Sequence, residues 1–451
     1  MRYHRLSLLS ILAAALLAGP ATSLPSHWGG MLVKHKWNDL PSNWVSVGYP
    51  ANGTTIRLHI ALKPERENAL IDALYEVSQP GHPKHVLFTT PQLEAYLRVL
   101  LLRFRYGAHL SKEQVAEIVA PHPDTLEFVF SWLEFNGVSR SSISTTHSGW
   151  LTVAEVPVSR ANRLLGASYQ FYNHAGTNET ILRTASYALP EALHKHVKTI
   201  VPTTSFTSSQ LSQHAPRSRS GGAAAQATSG EPVDVLPRAP PHLEVPSTDP
   251  PHLRWLYNTV GYTPSAKGQN TLGIVGFANE YPSPNPQDTD LSKFLTAFRE
   301  DAINPTITVV PVNQRAEDLN NPNSLATMDI EYGVAMVYPI PVTYYALGGA
   351  MKISSNNQPE ADDPYFQWLF TLTKQEIIPQ TISVGWHFDE QSIPVEYAVS
   401  LCFLFADLAA RGITVLAASG DDGVGKPDKC EDESGNTRFY TTFPASCTCS
   451  V

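Results

Sequence analysis

The sequence predicts an α/β protein in two units: a mixed α+β unit in the first half, then a doubly wound, mostly parallel sheet. Three observations carry this reading. From residue 251 onward short apolar runs alternate regularly with helix-like stretches, the rhythm of right-handed β-α-β crossovers. Before residue 206 strand-like and helix-like stretches also alternate, but without that regularity. Between the two, residues 207–250 are dense in Ser, Gly, Ala and Pro, a composition that buries too little apolar surface to offset chain entropy.

Taken in order, the first segment is a secretory signal. Residues 1–23 carry Arg2 and Arg5, an apolar stretch from Leu6 to Ala18, and the small-residue pattern Ala21-Thr22-Ser23, with cleavage expected after Ser23. The apolar stretch is too short for a membrane span, and no later segment reaches spanning length, so a soluble, extracellular mature protein is expected.

Residues 24–206 form the first unit. "TIRLHIALK" alternates like a strand, and "RENALIDALYEVS" puts Leu70, Ala73 and Leu74 on one helix face. Ser111 caps and Pro121 stops the helix "SKEQVAEIVAP", and "DTLEFVFSWLEFNG" closes on Gly137. A strand "WLTVAEVPVS" and a helix "RANRLLGA" follow. The linker's basic piece, "PRSRSGG", is expected to be open to proteolytic processing.

The second unit, residues 251–451, reads strand by helix. "NTLGIVGFANEY" is a buried strand, "DLSKFLTAFRED" a helix opened by Asp290, "ITVVPVN" a strand and "ATMDIEYGVAMVY" a helix. "PVTYYALGG", "YFQWLFTLTKQE", "QTISVGW", "PVEYAVSLCFLFADLAARG" and "ITVLAASG" continue the alternation. In such sheets ligands sit at the carboxyl ends of strands, a location that covers "VGW" and "SGDDG" alike.

Composition narrows the function classes. The 451 residues are 42% hydrophobic and 16% charged, with a formal net charge of -9 and no Lys/Arg-dense block, which argues against nucleic acid as a partner. In an oxidising compartment the four cysteines read as disulfide formers. Cys430 and Cys447 bracket a loop and are the expected pair; Cys402 lies in a helical apolar stretch and is expected to be buried, and Cys449 is left over. The spacing "CTC" is no zinc signature. Asn52-Gly-Thr54 and Asn178-Glu-Thr180 fit the glycosylation acceptor.

Two acidic positions stand out. Gly420 and Gly423 flank Asp421 at a strand end, which would direct its carboxyl into the crevice; the alternative is a polar turn. Asp329 shares a helix face with Leu325, Tyr332 and Gly333, and an inward Asp among apolar neighbours is a candidate catalytic group; the alternative is a surface charge.

The stretches "LRWLYNTVGYTP", "MDIEYGVAM", "DEQSIPVEYA", "ARGITVLAASGDDGVG" and "TTFPASC" resemble the secreted sedolisin family of serine-carboxyl peptidases, of the tripeptidyl-peptidase type. "WVSVGYPANGTTIRLHIALK", "LYEVSQPGHPKH" and "LRTASYALPEALHKHVKTIVPTTSF" resemble that family's pro-kumamolisin-like activation propeptide. The resemblance implies a subtilisin-like fold, peptide or protein substrates, calcium as a cofactor, and the propeptide as an intramolecular inhibitor. It implies that Asp329 orients a base glutamate and that Asp421 is the acid of the oxyanion site, a carboxyl that must be protonated to donate a hydrogen bond. Gly385, Trp386 and His387 fall on the family's substrate-binding strand; for Trp386 the alternative is plain core packing.

Against that pattern the base position, four residues before Asp329, is Leu325. The family's Gly-Thr-Ser nucleophile motif and its C-terminal calcium ligands are absent, and the chain is expected to be C-terminally truncated at Val451. Val86 to Arg105 reads as an amphipathic helix but interrupts the family text as an atypical insertion; it and the tail "TCSV" are expected to be translated intron. The expectation is therefore a secreted, acid-acting peptidase precursor that in its complete form releases tripeptides from peptide N-termini. Its rival is an inactive pseudoenzyme or propeptide-type inhibitor.

Overall fold

A computed structural model describes residues 28–79, 106–146, 148–176, 179–207, 248–266, 268–277, 290–312, 324–347, 363–420, 423 and 439–447. Outside the described residues lie the signal segment 1–23, the stretch Val86 to Arg105, most of the 207–250 linker, Asn178, Asp421, Asp422, Cys430, Cys449 and the tail.

The first unit runs β1 (Met31–Lys36), β2 (Trp44–Gly48), β3 (Thr55–Leu62), α1 (Ala69–Ser78), α2 (Lys112–Val119), α3 (Pro123–Phe135), β4 (Ile143–Thr145), β5 (Trp150–Pro157), α4 (Val158–Leu165), β6 (Gln170–His174), β7 (Thr180–Arg183), β8 (Ser186–Pro190) and β9 (Val197–Val201). Among the described residues the expected helices and strands are present. Ser111 and Gln114 close a reciprocal capping box at the start of α2, and Gly166 ends α4 in the left-handed conformation.

The main sheet is antiparallel, in the order β4-β5-β3-β9, and the period of two along each strand explains its double burial. Leu58, Ile60 and Leu62 of β3 point into the unit's own core with Leu151 and Val153 of β5. His59 and Ala61, with Trp150, point the other way, into the second unit.

The second unit runs α5 (Pro250–Leu256), β10 (Leu272–Gly276), α6 (Asp290–Phe298), β11 (Ile307–Val312), α7 (Ser324–Val337), β12 (Val342–Leu347), α8 (Pro364–Lys374), β13 (Thr381–Val384), β14 (Phe388–Asp389), α9 (Val395–Ala410), β15 (Thr414–Ala417) and β16 (Thr442–Phe443). Five strands form one wholly parallel sheet in the order β11-β12-β10-β13-β15. Alternate residues separate its faces. Ile274, Val342, Tyr344 and Ala346 pack with α6 and α7, whereas Val275, Tyr345, Ile382, Val384 and Val415 pack with α8 and α9.

Helices on both faces make the sheet doubly wound, as expected. The connections leaving β10 and β13 go to opposite sides, so the carboxyl ends of these neighbouring strands form the switch-point crevice. Gly276 ends β10 where a Cβ would stand 1.7 Å from the Tyr344 hydroxyl, so no other residue fits without displacing that ring.

Candidate active site

Asp329 is carried to the crevice by α7. The helix buries Ala326, Ile330, Val334 and Ala335 against the sheet. Asp329, Tyr332, Gly333 and Met336, at spacings of three and four, then line one side of an open cavity of about 480 Å³. Leu272 and Ile274 of β10, Ser383 of β13 and Leu416 of β15 line its sheet side, and it runs on to Thr271 and Thr381 at the amino ends of β10 and β13. Most of that lining is apolar, and among the described residues no hydrogen bond reaches the Asp329 carboxylate. Burial alone pushes its carboxyl up to about 6.

β13 brings its carboxyl end to the same place. Past Val384 the burial alternates, with Gly385 exposed, Trp386 buried, His387 half-buried and Phe388 buried. A Cβ on Gly385 would stand 3.9 Å from Asp329 Oδ2, so the backbone at Gly385 is open to a ligand on the carboxylate side. His387 lies against the start of the "SGDDG" loop: its Nε2 is 3.3 Å from the point a Cβ on Gly420 would occupy. Gly420 and Gly423 both have left-handed φ angles, +90° and +67°, which glycine supplies without strain. Asp421 itself is outside the described residues.

One alternative is decided and one expectation is corrected. Trp386 does not offer its side chain to a ligand: it is 2% exposed and packs at 5.2 Å against Phe277 in the core, because odd and even positions of an extended strand face opposite ways. Cys447 is bonded to Cys402, not to Cys430, with an S–S distance of 1.99 Å. The cause is tertiary: β16 pairs with β14 just before α9, and the turn after β16 sets Cys447 beside that helix. Leu325 occupies the turn of α7 before Asp329, the place of the expected base.

Of the glycosylation acceptors, Asn52 is exposed in the turn before β3, and Asn178 is outside the described residues. Among the described residues no group of three or more His, Cys, Asp or Glu side chains is placed to hold a metal ion. No described helix is long and apolar enough to cross a membrane.

Known proteins match the chain across both units. The family described as "Pro-kumamolisin, activation domain" matches residues 42–99 and 101–206. A probable tripeptidyl-peptidase SED3 of Arthroderma benhamiae is 28% identical over 421 residues, covering 90% of this chain and 64% of that protein. Tripeptidyl-peptidases SED2 and SED4 of Arthroderma otae are each 28% identical, over 441 and 454 residues, covering 96% and 97% of this chain and 68% of theirs. The chain thus spans about two thirds of the length of these relatives, and 64% of the SED3 protein. The activation-domain match ends at Phe206, where the first unit gives way to the linker, and the likeness to tripeptidyl-peptidases continues through the parallel sheet, so that over most of its length the chain is similar to proteins of the sedolisin family.

Proposed function

We propose that the chain is the precursor of a secreted, acid-acting serine-carboxyl peptidase of the tripeptidyl type, with a subtilisin-like second unit. Residues 1–23 are its signal, residues 24–206 its activation propeptide, and 207–250 the segment where processing occurs. One observation carries this reading: a desolvated carboxyl, Asp329, set against the open Gly385 backbone at the switch point of a parallel sheet.

In this reading Asp329 is the orienting carboxylate and Asp421 the protonated donor to the oxyanion. Gly385 and His387 flank an extended peptide. The body of the propeptide lies beyond α8 and α9, on the sheet face opposite α7. Inhibition by that body would therefore act through α8 and α9 rather than by covering Asp329.

Leu325 favours a second reading, in which the chain binds peptides or a relative but does not cut. Leucine accepts no proton, and neither the base nor the nucleophile of the family pattern is identified in this sequence. Hydrolysis of a tripeptide amide near pH 4 by the chain completed through the family's Gly-Thr-Ser segment, and by the Asp329→Asn and Leu325→Glu variants of that protein, separates the two. Cleavage by the native chain that Asp329→Asn abolishes supports the peptidase. Cleavage by Leu325→Glu alone supports the second reading, and no cleavage by any of the three overturns the peptidase reading for this chain.

A further inference from the structure

Two backbone walls bound the crevice where β13 and β15 end. Val384 pairs with Ala417, and the Ala418 N–H donates to the Val384 carbonyl at 3.0 Å. Beyond that bond the two chains run on as residues 385–388 and 418–420. The exposed residues on these walls, Gly385, Ala418 and Ser419, are all small, so their own side chains take up little of the space between them.

Among the described residues one large side chain enters that space, and it is His387. Positions 385 and 387 of an extended segment face the same way, opposite to Trp386 and Phe388, which are buried. Their common side is that of Asp329, whose Oδ2 lies 3.9 Å from a Cβ built on Gly385. The imidazole reaches across to the other wall: a Cβ built on Gly420 would stand 3.3 Å from His387 Nε2 and 3.6 Å from its Cδ2. Thr442 Cγ2 closes on the same point at 3.2 Å. Gly420 therefore makes room for the ring, and its φ of +90° suits glycine alone.

The main chain at His387 is anchored on both sides. Trp386 packs at 5.2 Å against Phe277, and Phe388 packs at 5.4 Å against Tyr365 and pairs with Phe443 across β14 and β16. The Cys402–Cys447 cystine fastens the turn after β16 to α9, which fixes Thr442 as well. Among the described residues no hydrogen bond reaches the His387 ring. Contact holds it, and what it sets for a neighbour is volume.

We infer that His387 is a specificity-determining residue: its ring fills the gap between 385–388 and 418–420, so the crevice takes an extended peptide only when the side chain directed at Gly420 is of glycine or alanine size. The inference rests on the proposal that a peptide lies along Gly385, and goes beyond it in naming which peptides. An extended peptide laid on that backbone turns every second side chain toward the sheet. A methyl group fits beside the ring. A phenyl ring would need the volume of the imidazole itself, and Thr442 and the anchored strand leave the imidazole nowhere to go.

The test uses the full chain and peptides with a fluorophore at the carboxyl end, in pairs that carry alanine or phenylalanine at one position, with that position moved along the peptide. Affinities are read by fluorescence anisotropy. At one register the native chain is expected to bind the alanine peptide at least about tenfold more tightly. His387→Gly is expected to cut that ratio about tenfold by admitting the phenylalanine, and His387→Phe, which restores a ring, is expected to keep it. A purely structural role for His387 would lower both affinities together and leave the ratio alone. An unchanged ratio in His387→Gly with native thermal stability overturns the inference and leaves the peptide site standing. Equal affinity for both peptides at every register in the native chain overturns it without any variant. Failure of every peptide to bind overturns the peptide site itself, and the inference with it.

Discussion

Asp329 Oδ2 stands 3.9 Å from where a Cβ on Gly385 would be, so a half-buried helix carboxyl and a bare stretch of strand backbone face each other at the carboxyl end of β13. Gly385→Val should fold, since nothing else stands within 4 Å of that Cβ, with stability changed by about 0.5 kcal/mol or less. Its γ carbons would occupy the space in front of Asp329, and binding of an extended peptide should weaken. Unchanged peptide affinity by fluorescence anisotropy, in a variant with native thermal stability, would remove Gly385 from the site.

Asp329 should make stability depend on pH. Its folded carboxyl titrates at about 6 against an ordinary 3.8, so the folded protein holds a proton that the unfolded chain has released between those values. The contribution is fully present below about pH 4 and is lost as pH rises through 6. Asp329→Asn should flatten this slope and raise stability at pH 7 by roughly 2 kcal/mol. Urea unfolding of both proteins at pH 4 and pH 7 measures it, and parallel pH profiles would contradict the assignment.

Lys198 carries a cost with the opposite pH dependence. Burial lowers its amine to about 8 from 10.5. The penalty is complete below pH 8 and vanishes as pH rises to the unfolded value. Lys198→Met keeps the stem over the Phe403 ring and should stabilise the protein by about 1–3 kcal/mol at pH 7, with no gain above pH 10.5. A loss of stability at pH 7 would show that the ammonium–ring contact outweighs desolvation.

The cystine is checked by peptide mapping without reduction, which should recover Cys402 linked to Cys447. Cys447→Ser opens a loop with a sequence separation of 45 and should lower stability by about 4 kcal/mol in the chain-entropy account. Recovery of Cys430 linked to Cys447 would restore the pairing that the sequence alone suggests.

The legible part of this protein was what period and spacing control. Asp329, Tyr332 and Gly333 sit at intervals that put them on one helix face, and they line one cavity. The parallel sheet followed from alternation of apolar runs and helices between "NTLGIVGF" and "ITVLAAS", because β10 and β12 at its centre are covered on both faces.

What spacing does not encode is which distant elements meet. Cys447 is seventeen positions from Cys430 but bonds to a cysteine forty-five positions away, because β14 and β16 pair next to α9. Trp386 was ambiguous for the same reason. Only the position of Phe277 decides which side of the strand is core.

His59 belongs to β3 and Gln367 to α8, and their side chains meet at 3.1 Å inside an interior that the two units share. A change of volume at Trp150 or Phe366 must be absorbed by a residue in the other half of the chain, since packed interiors leave no room for independent drift. The two halves therefore inherit one another's substitutions: swapping a first unit from a relative onto this second unit should succeed only when the residues at 59, 61 and 150 travel with those at 366, 367 and 370. Compensating changes among relatives are expected along that seam more than within either half's own periphery.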